Sequence, residues 1–303
     1  MSTPPTSTTE SRNAASAQID TLSPLQFADL MNQEDATVAA AVRRELPGIA
    51  QAIEVISDRL RNHGRLFYIG AGTSGRLGVL DASECPPTFS TPPELVVGII
   101  AGGPAALTRA IEGAEDNAAQ AEVDLKQVNL CAKDVLVGIA ASGRTPYVIH
   151  ALRYARSLGA FAIGFACNEH SAMQSEADLM ITTVVGPEII TGSTRLKSGT
   201  ATKMVLNMLT TGAMVQLGKT YGNLMVDLRA TNEKLRNRSQ KIVAEITGLA
   251  QTDAEKVLEL CGGEVKTAIV MTVRHTTPDN ARALLKAAGG QLRGAIQPTE
   301  NPS

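Results

Sequence analysis

Apolar and polar positions along the chain follow two different periods. Short, continuous apolar runs are typical of buried strands, and longer segments with apolar residues three and four positions apart are typical of helices. The apolar runs lie at 66–69, 95–100, 134–140, 161–166 and 179–184. Because helical patterns separate these runs, the sequence predicts an α/β fold with a doubly wound parallel sheet and right-handed crossovers.

The same patterns divide the chain into segments. Three short helices are predicted near the C-terminus from a Thr252-x-x-Glu255 capping box, a Gly262-Gly263 stop and a Thr277-Pro278 start. Their spacing resembles a ubiquitin-associated-type fold. We expect a mobile N-terminus at 1–22, helices at 23–64, the α/β domain at 65–226, a connecting helix at 227–250, a small helical bundle at 251–293 and a frayed tail at 294–303.

A glycine-rich loop follows the first predicted strand. A strand that breaks into glycines before a helix leaves backbone N–H groups at the positive end of the helix dipole, where a phosphate or another anion binds. Two hydroxyl side chains accompany these groups. The loop residues are Gly70, Gly72, Thr73, Ser74 and Gly75.

This loop also matches the dinucleotide-binding spacing Gly-x-Gly-x-x-Gly. That interpretation requires an acidic residue at the end of the next strand, to hold a ribose hydroxyl. The next predicted strand ends instead in Ala101-Gly102-Gly103. We therefore disfavour a nicotinamide or flavin cofactor and expect none.

A second loop of the same design, 141–146, follows the third predicted strand. Its hydroxyls, Ser142 and Thr145, either bind phosphate or cap the helix that follows. Ligands of parallel sheets bind beyond the carboxyl ends of the strands, so we expect the two loops to meet there. The first residues of a longer predicted helix, 197–203, are a candidate third wall of the site. Arg76 and Arg144 are either phosphate ligands or solvent-facing side chains, and Lys197 and Lys203 remain unassigned.

Carboxylates are the candidate reactive groups, because no Ser-His-Asp order, reactive cysteine or metal cluster is evident. Glu84 precedes Pro86-Pro87, which we expect to end the helix and so hold the carboxylate near the first loop. Glu115 is predicted on the polar side of a helix that starts at Gly103-Pro104. A solvated helix acid is the alternative for Glu115. Two such carboxylates over one crevice could act as base and acid.

Composition and charge narrow the class of protein and its possible partners. A net charge of -2 without a basic run disfavours nucleic acid as a partner. Four scattered cysteines fit free thiols in a reducing compartment, and four unpaired histidines give no metal-ligand spacing. No apolar run approaches the roughly 20 residues of a membrane span, and residues 1–16 lack the apolar core of a signal peptide. We expect a cytoplasmic protein without a metal.

The stretch from Ile69 to Phe89 resembles the signature of the N-acetylmuramic acid 6-phosphate etherases. The resemblance covers nearly the whole chain, including 32–35, 101–103, 112–116, 141–146, 197–200 and the C-terminal bundle. It implies a sugar isomerase (SIS) fold that binds phosphosugars, usually as a homodimer. It also implies cleavage of the D-lactyl ether of N-acetylmuramate 6-phosphate to N-acetylglucosamine 6-phosphate and D-lactate, in bacterial cell-wall recycling.

The resemblance also assigns residues. It implies that Glu84 is the proton donor, that Glu115 is the second active-site residue, and that Ser74, Ser142 and Thr145 bind the phosphate, assisted by Thr73. A phosphosugar-sensing regulator of the same fold is the alternative. A repressor would need a DNA-reading helical module, which is not evident before residue 66, and the glutamate pair favours an etherase over an isomerase.

Overall fold

The computed structural model describes residues 7–228 and 233–297. Of these described residues, 7–83 and 93–210 form one compact unit, and 84–92 with those after 210 form another. Parts of the predicted N-terminus (1–6), connecting helix (229–232) and tail (298–303) lie outside the described residues. Within the described ranges, no helix is long and apolar enough to cross a membrane.

The first unit is built on a five-stranded sheet in which every neighbouring pair is parallel. The strand order is β2-β1-β3-β4-β5, so the chain moves first to one side of β1 and then to the other. This is the doubly wound arrangement that the sequence predicted, and the fold class is confirmed. The strands are β1 Leu66–Gly70, β2 Val96–Ile100, β3 Val135–Ile139, β4 Phe161–Ala166 and β5 Leu179–Thr182.

Helices cover both faces of this sheet. The helices that begin in the first unit are α1 Pro24–Asp35, α2 Val38–Arg44, α3 Leu46–Arg61, α4 Gly72–Phe89, α5 Ala118–Gln127, α6 Pro146–Ser157 and α7 Lys197–Gln216. On one face, Leu125 of α5 and Leu152 of α6 share a core with Phe67 and Leu136. On the other, α4 packs so closely on β2 that a Cβ on Gly98 would lie 2.5 Å from the Cα of Val79.

The N-terminal region is more structured than we expected. Residues Thr8–Glu10 and Ile19–Thr21 form short 3-10 turns. Thr9 is fully buried, and its amide donates to the side chain of Asn168 at 3.1 Å. This structure differs from the predicted mobile segment because the contact joins residues far apart in the chain, which no local pattern reports.

Within the segment predicted as helices, 23–64, the chain breaks between α2 and α3. The chain leaves the helical conformation at Glu45, whose φ and ψ are -95° and 3°. The Glu45 carboxylate accepts a 3.0 Å hydrogen bond from the amide of Thr182 at the end of β5. The break therefore gives a sheet-edge amide its partner.

The second unit contains a small hairpin and a helical bundle. Its elements are β6 Thr220–Tyr221, β7 Leu224–Met225, α8 Glu233–Thr247, α9 Gln251–Leu260, α10 Val265–Val273, α11 Pro278–Ala287 and α12 Leu292–Ile296. Val243, Leu258, Ile269 and Leu292 share its core. Leu292 and Ala295 are buried in this core, so α12 is packed. We had expected a tail frayed after residue 293.

Two helix starts of this bundle turned out differently. The Thr277 side chain accepts from the amide of Asn280 at 3.3 Å, so the predicted start of α11 is confirmed. The capping box predicted at Thr252 is not formed, because α9 starts two residues earlier, with Ala250 as its N-cap. Thr252 therefore lies inside the first turn, where its side chain cannot cap.

Candidate active site

The first glycine loop is set by a close backbone approach between β1 and α4. A Cβ on Gly75 would lie 2.6 Å from the carbonyl oxygen of Gly70, so neither position has room for a side chain. Gly72 starts the helix with φ +52°. Thr73 and Ser74 lie half-buried in the first turn of α4, where N–H groups have no intrahelical partner. The glycine spacing thus serves the strand-to-helix junction.

The second loop is equally constrained. Gly143 has φ +68°, and a Cβ there would lie 2.3 Å from the Ser171 hydroxyl, which donates to the Gly143 carbonyl at 2.9 Å. The Ser142 hydroxyl accepts from the amide of Arg144 at 3.3 Å. Thr145 is the N-cap of α6, but its side chain makes no capping hydrogen bond. The half-buried Thr145 hydroxyl is therefore not used for helix capping.

Glu115 lies in a turn, so the helix predicted for it is wrong. The chain after β2 forms only a 3-10 turn at Pro104–Leu107, and α5 starts at Ala118. Three positive φ angles explain the difference: Gly102 has +85°, Gly103 +69° and Gly113 +70°. A continuous right-handed helix cannot pass through Gly113 in that conformation.

Arg76 fixes this segment. Its guanidinium donates to the carbonyls of Leu107 and Arg109, both at 3.0 Å. Neither of the two roles left open for Arg76 describes this, because the side chain binds the backbone of the neighbouring loop. Arg144 is exposed on the second loop.

The turn of Glu115 is joined to the second loop by a main-chain hydrogen bond. The Tyr147 amide, in the first turn of α6, donates to the Glu115 carbonyl at 3.1 Å. Tyr147 is fully buried, and its hydroxyl donates to Asp124 at 2.5 Å. Burial, and then the bond to Asp124, raise the pKa of Tyr147 above its usual range. The Glu115 carboxylate itself is exposed to solvent.

Glu115 also borders a small cavity beside the first loop. The cavity has a volume of about 130 Å3 and includes Gly72, Arg76 and Arg109 in its wall. Most of the remaining wall consists of small side chains, namely Ala71, Ala101, Ala106, Ala110 and Ala114. The structure therefore brings Glu115 together with both hydroxyl loops at the carboxyl edge of the sheet.

Glu84 is an exposed residue of α4, within the segment assigned to the second unit. The prolines that follow it do not end the helix, as we had expected. α4 continues through Pro86 and Pro87 to Phe89, and the Ser90 amide still donates to the Pro86 carbonyl at 3.0 Å. Each proline removes only its own amide donor, and the carbonyl of Pro86 still accepts a hydrogen bond, so the last turn survives.

The start of α7, the predicted third wall, is occupied by a carboxylate of the chain itself. Glu188 is fully buried and accepts from the amides of Lys197 and Ser198, both at 2.9 Å, and from the Ser198 hydroxyl at 2.8 Å. A Cβ on Gly199 would lie 3.7 Å from Thr73, so α7 does border the first loop. Its N-terminus, however, already holds an anion. Sequence reasoning missed Glu188, which has no local signal.

Lys197 forms a buried ion pair that sequence reasoning left unassigned. Its ammonium is 2.5 Å from the Glu34 carboxylate, and its side chain is 3% exposed. The hydrogen bond from Lys197 lowers the pKa of Glu34, although partial burial opposes the shift. Asn13 also donates to Glu34, at 2.8 Å. Lys197 therefore ties α7 to α1.

Other reactive groups are not prepared for chemistry. Burial raises the pKa of the Cys167 thiol to about 11, so it remains protonated near neutral pH. Among the described residues, no cluster of three or more His, Cys, Asp or Glu side chains could hold a metal ion. Carboxylates and hydroxyls remain the groups available at the site.

Comparison with known proteins assigns this arrangement to a class and then to a family. The model of the SIS domain matches residues 119–212, and that of the glucokinase regulatory protein N-terminal SIS domain matches residues 48–156. The doubly wound sheet with hydroxyl loops at its carboxyl edge is thus an SIS-type domain. Relatives that are more than half identical over nearly the full length show that the chain belongs to the N-acetylmuramic acid 6-phosphate etherase family.

Curated relatives support this assignment over nearly the full length. A protein of Rhodopirellula baltica with that family name is 63% identical over 94% of each chain. One of Streptomyces coelicolor, also named an N-acetylmuramic acid 6-phosphate etherase, is 56% identical and covers 96% of this chain and 94% of its own.

Proposed function

We propose that this protein is a lyase that cleaves the D-lactyl ether of N-acetylmuramic acid 6-phosphate. The products are N-acetylglucosamine 6-phosphate and D-lactate, and the net reaction consumes one water. The observation that carries the proposal is the placement of Glu115 at the carboxyl edge of the sheet, between two hydroxyl loops, in a chain of the etherase family. The reaction belongs to amino sugar recycling from the cell wall.

The hydroxyl loops bind the 6-phosphate. Ser74, Ser142 and Thr145, assisted by Thr73, surround the dianion with hydroxyls and main-chain N–H groups. The unused Thr145 hydroxyl and the two helix starts support this role. A phosphate fixed in this way orients the sugar before the reaction, which supplies the entropic part of catalysis.

The chemistry starts from the open-chain sugar. Its C1 aldehyde makes the C2 hydrogen acidic, and the lactyl oxygen on C3 is a β leaving group. Glu115 removes the C2 proton, and Glu84 protonates the lactyl oxygen as the C3–O bond breaks. This gives a C2–C3 unsaturated aldehyde and free D-lactate. The aldehyde accepts the electron pair, so the reaction needs neither a metal nor an organic cofactor.

Water addition completes the reaction. Glu84, now a carboxylate, takes a proton from a water molecule that attacks C3. Protonation at C2 by Glu115 then restores the saturated aldehyde, and the sugar ring closes. Each glutamate thus returns to its initial protonation state.

A coupled lactate assay on N-acetylmuramate 6-phosphate tests the proposal. We expect lactate from the wild-type enzyme without added metal or nucleotide, and almost none from folded Glu84→Ala and Glu115→Ala variants. Exchange of C2–H with solvent separates the roles, because it should survive in Glu84→Gln and be lost in Glu115→Gln. The reverse pattern would exchange the two roles, and a folded wild type that binds substrate without releasing lactate would contradict the proposal.

A phosphosugar-sensing regulator is the second candidate. The match of residues 48–156 to the glucokinase regulatory protein N-terminal SIS domain is the observation in its favour. The etherase relatives cover far more of the chain, so we favour the enzyme. A folded wild type that binds N-acetylglucosamine 6-phosphate without catalysing any lactate release would favour the regulator.

We also propose a cytoplasmic homodimer. The helix α1 has no buried residue, and its Leu25 is 79% exposed. Because helices of this length are marginal in water without packing, a second copy of the chain would stabilise α1. Light scattering of the purified protein distinguishes a dimer from a monomer.

A further inference from the structure

The alanine-walled cavity beside Glu115 is not accounted for by phosphate binding. Its volume of about 130 Å3 corresponds to the liquid volume of about four water molecules. That space suits a small group such as a methyl and a carboxyl on one carbon. Methyl groups of Ala71, Ala101, Ala106 and Ala110 favour an apolar part of a ligand over a second phosphate.

Two arginines contribute to the cavity wall, and among the described residues only Arg76 has side-chain partners. The Arg76 guanidinium donates to the carbonyls of Leu107 and Arg109. The Arg109 side chain is exposed and makes no hydrogen bond or ion pair with any residue that the structure describes. An arginine with no side-chain partner among the described residues thus contributes to the wall of this alanine-rich cavity.

The substrate of the proposed function carries two different anions. Hydroxyls and helix N–H groups suit the phosphate, whereas a carboxylate is best matched by a guanidinium, whose fork can donate two parallel hydrogen bonds. The lactyl group joins its carboxylate to a methyl group on one carbon. Because Glu115 borders the same cavity and would repel a carboxylate, a neighbouring positive charge is needed there.

We propose that Arg109 binds the carboxylate of the lactyl substituent, while the alanine wall contacts the lactyl methyl group. This inference rests on the proposed function and names the part of the site that distinguishes an ether-bearing sugar from other phosphosugars. Arg76 supports the subsite by holding the carbonyl of Arg109, and it does so through the main chain. Truncation of the Arg109 side chain therefore leaves that anchor in place.

The test compares two ligands that differ by the lactyl group. For Arg109→Ala we expect the KM for N-acetylmuramate 6-phosphate to rise by about tenfold to a hundredfold, as for loss of a charged hydrogen-bonding group. The Kd for N-acetylglucosamine 6-phosphate, which has no carboxylate, should change by less than twofold. Arg109→Lys should recover part of the loss, and Arg43→Ala, an exposed arginine on α2, should change neither value.

The other outcomes are distinguishable. Equal weakening of both ligands would overturn the subsite and assign Arg109 to the phosphate or to the loop. An unchanged KM in Arg109→Ala would place the lactyl carboxylate elsewhere. Failure of the wild type to release lactate would contradict the proposed function itself, which the wild-type control reports separately.

Discussion

The main-chain amide of Tyr147 donates a 3.1 Å hydrogen bond to the main-chain carbonyl of Glu115. This bond joins the turn after β2 to the start of α6, so Glu115 is positioned by the same helix end that carries Thr145. Arg76 holds the other side of that turn through the carbonyls of Leu107 and Arg109. An irregular segment is thereby fixed at two points, which suits the proton-transfer role that we propose for Glu115.

Replacement of Glu115 by glutamine should reduce kcat by about 10² to 10⁴ without loss of stability. The Glu115 carboxylate makes no hydrogen bond with the described residues, so its removal leaves no buried partner unsatisfied. Steady-state kinetics and urea unfolding measure the two quantities. Glu94→Gln, another exposed glutamate of the first unit, is the matched control and should retain full activity. A Glu115→Gln enzyme with wild-type kcat would exclude Glu115 as the base.

Thr145→Val should raise the KM for the phosphosugar and leave the free energy of unfolding nearly unchanged. The Thr145 hydroxyl makes no capping hydrogen bond, so its loss affects the ligand and not α6. Thr277→Ala is the informative contrast, because the Thr277 hydroxyl does cap α11. That variant should lose about 1 kcal/mol of stability and keep its KM. If Thr145→Val were destabilised with an unchanged KM, its hydroxyl would have a structural role.

Gly143→Ala should destabilise the protein by about 2–4 kcal/mol, combining left-handed backbone strain with crowding. The added Cβ would lie 2.3 Å from the Ser171 hydroxyl, and the residue has φ +68°. Gly222→Ala has a similar φ, +55°, with no atom within 4 Å, so it should cost only about 1 kcal/mol. The difference between the free energies of unfolding of the two variants, measured by urea denaturation, isolates the cost of crowding. Equal losses of stability would show that the Ser171 side chain can move aside at little energetic cost.

The ion pair of Glu34 with Lys197 should make stability depend on acid pH. Because Lys197 lowers the pKa of Glu34 in the folded protein, the unfolded chain binds more protons at this site, and the stabilisation present at neutral pH decreases as the pH falls through the range below 4.5. The gap in urea midpoint between wild type and Glu34→Gln should therefore narrow between pH 7 and pH 3. Glu54→Gln, an exposed control, should show no such trend. A constant gap would mean that the pair does not contribute through charge.

The rate at which each cysteine thiol reacts should depend on whether that cysteine is buried or exposed. Cys131 is exposed, whereas Cys85, Cys167 and Cys261 are buried. A disulfide reagent such as DTNB should therefore modify one thiol per native chain rapidly and all four in denaturant. Cys131→Ser should remove the rapid phase. Rapid modification of a second thiol in the native protein would contradict the burial of the other three.

The sequence by itself determined the strands and the two hydroxyl loops. Apolar runs predicted all five strands of the sheet, because a strand buried on both faces must be apolar throughout. Glycine spacing located the first loop, since Gly70 and Gly75 approach too closely for side chains. These features depend on a few neighbouring residues, so a local pattern contains them.

Only the tertiary structure decided where Glu115 lies and what occupies the start of α7. Arg76 holds the segment that leads to Glu115, Tyr147 holds the turn of Glu115, and Glu188 occupies the N-terminus of α7. Each of these contacts joins segments that are apart in the sequence, and each depends on how helices pack on the sheet. Periodicity and propensity describe the backbone of one segment at a time, and therefore cannot predict hydrogen bonds that form only when distant segments meet.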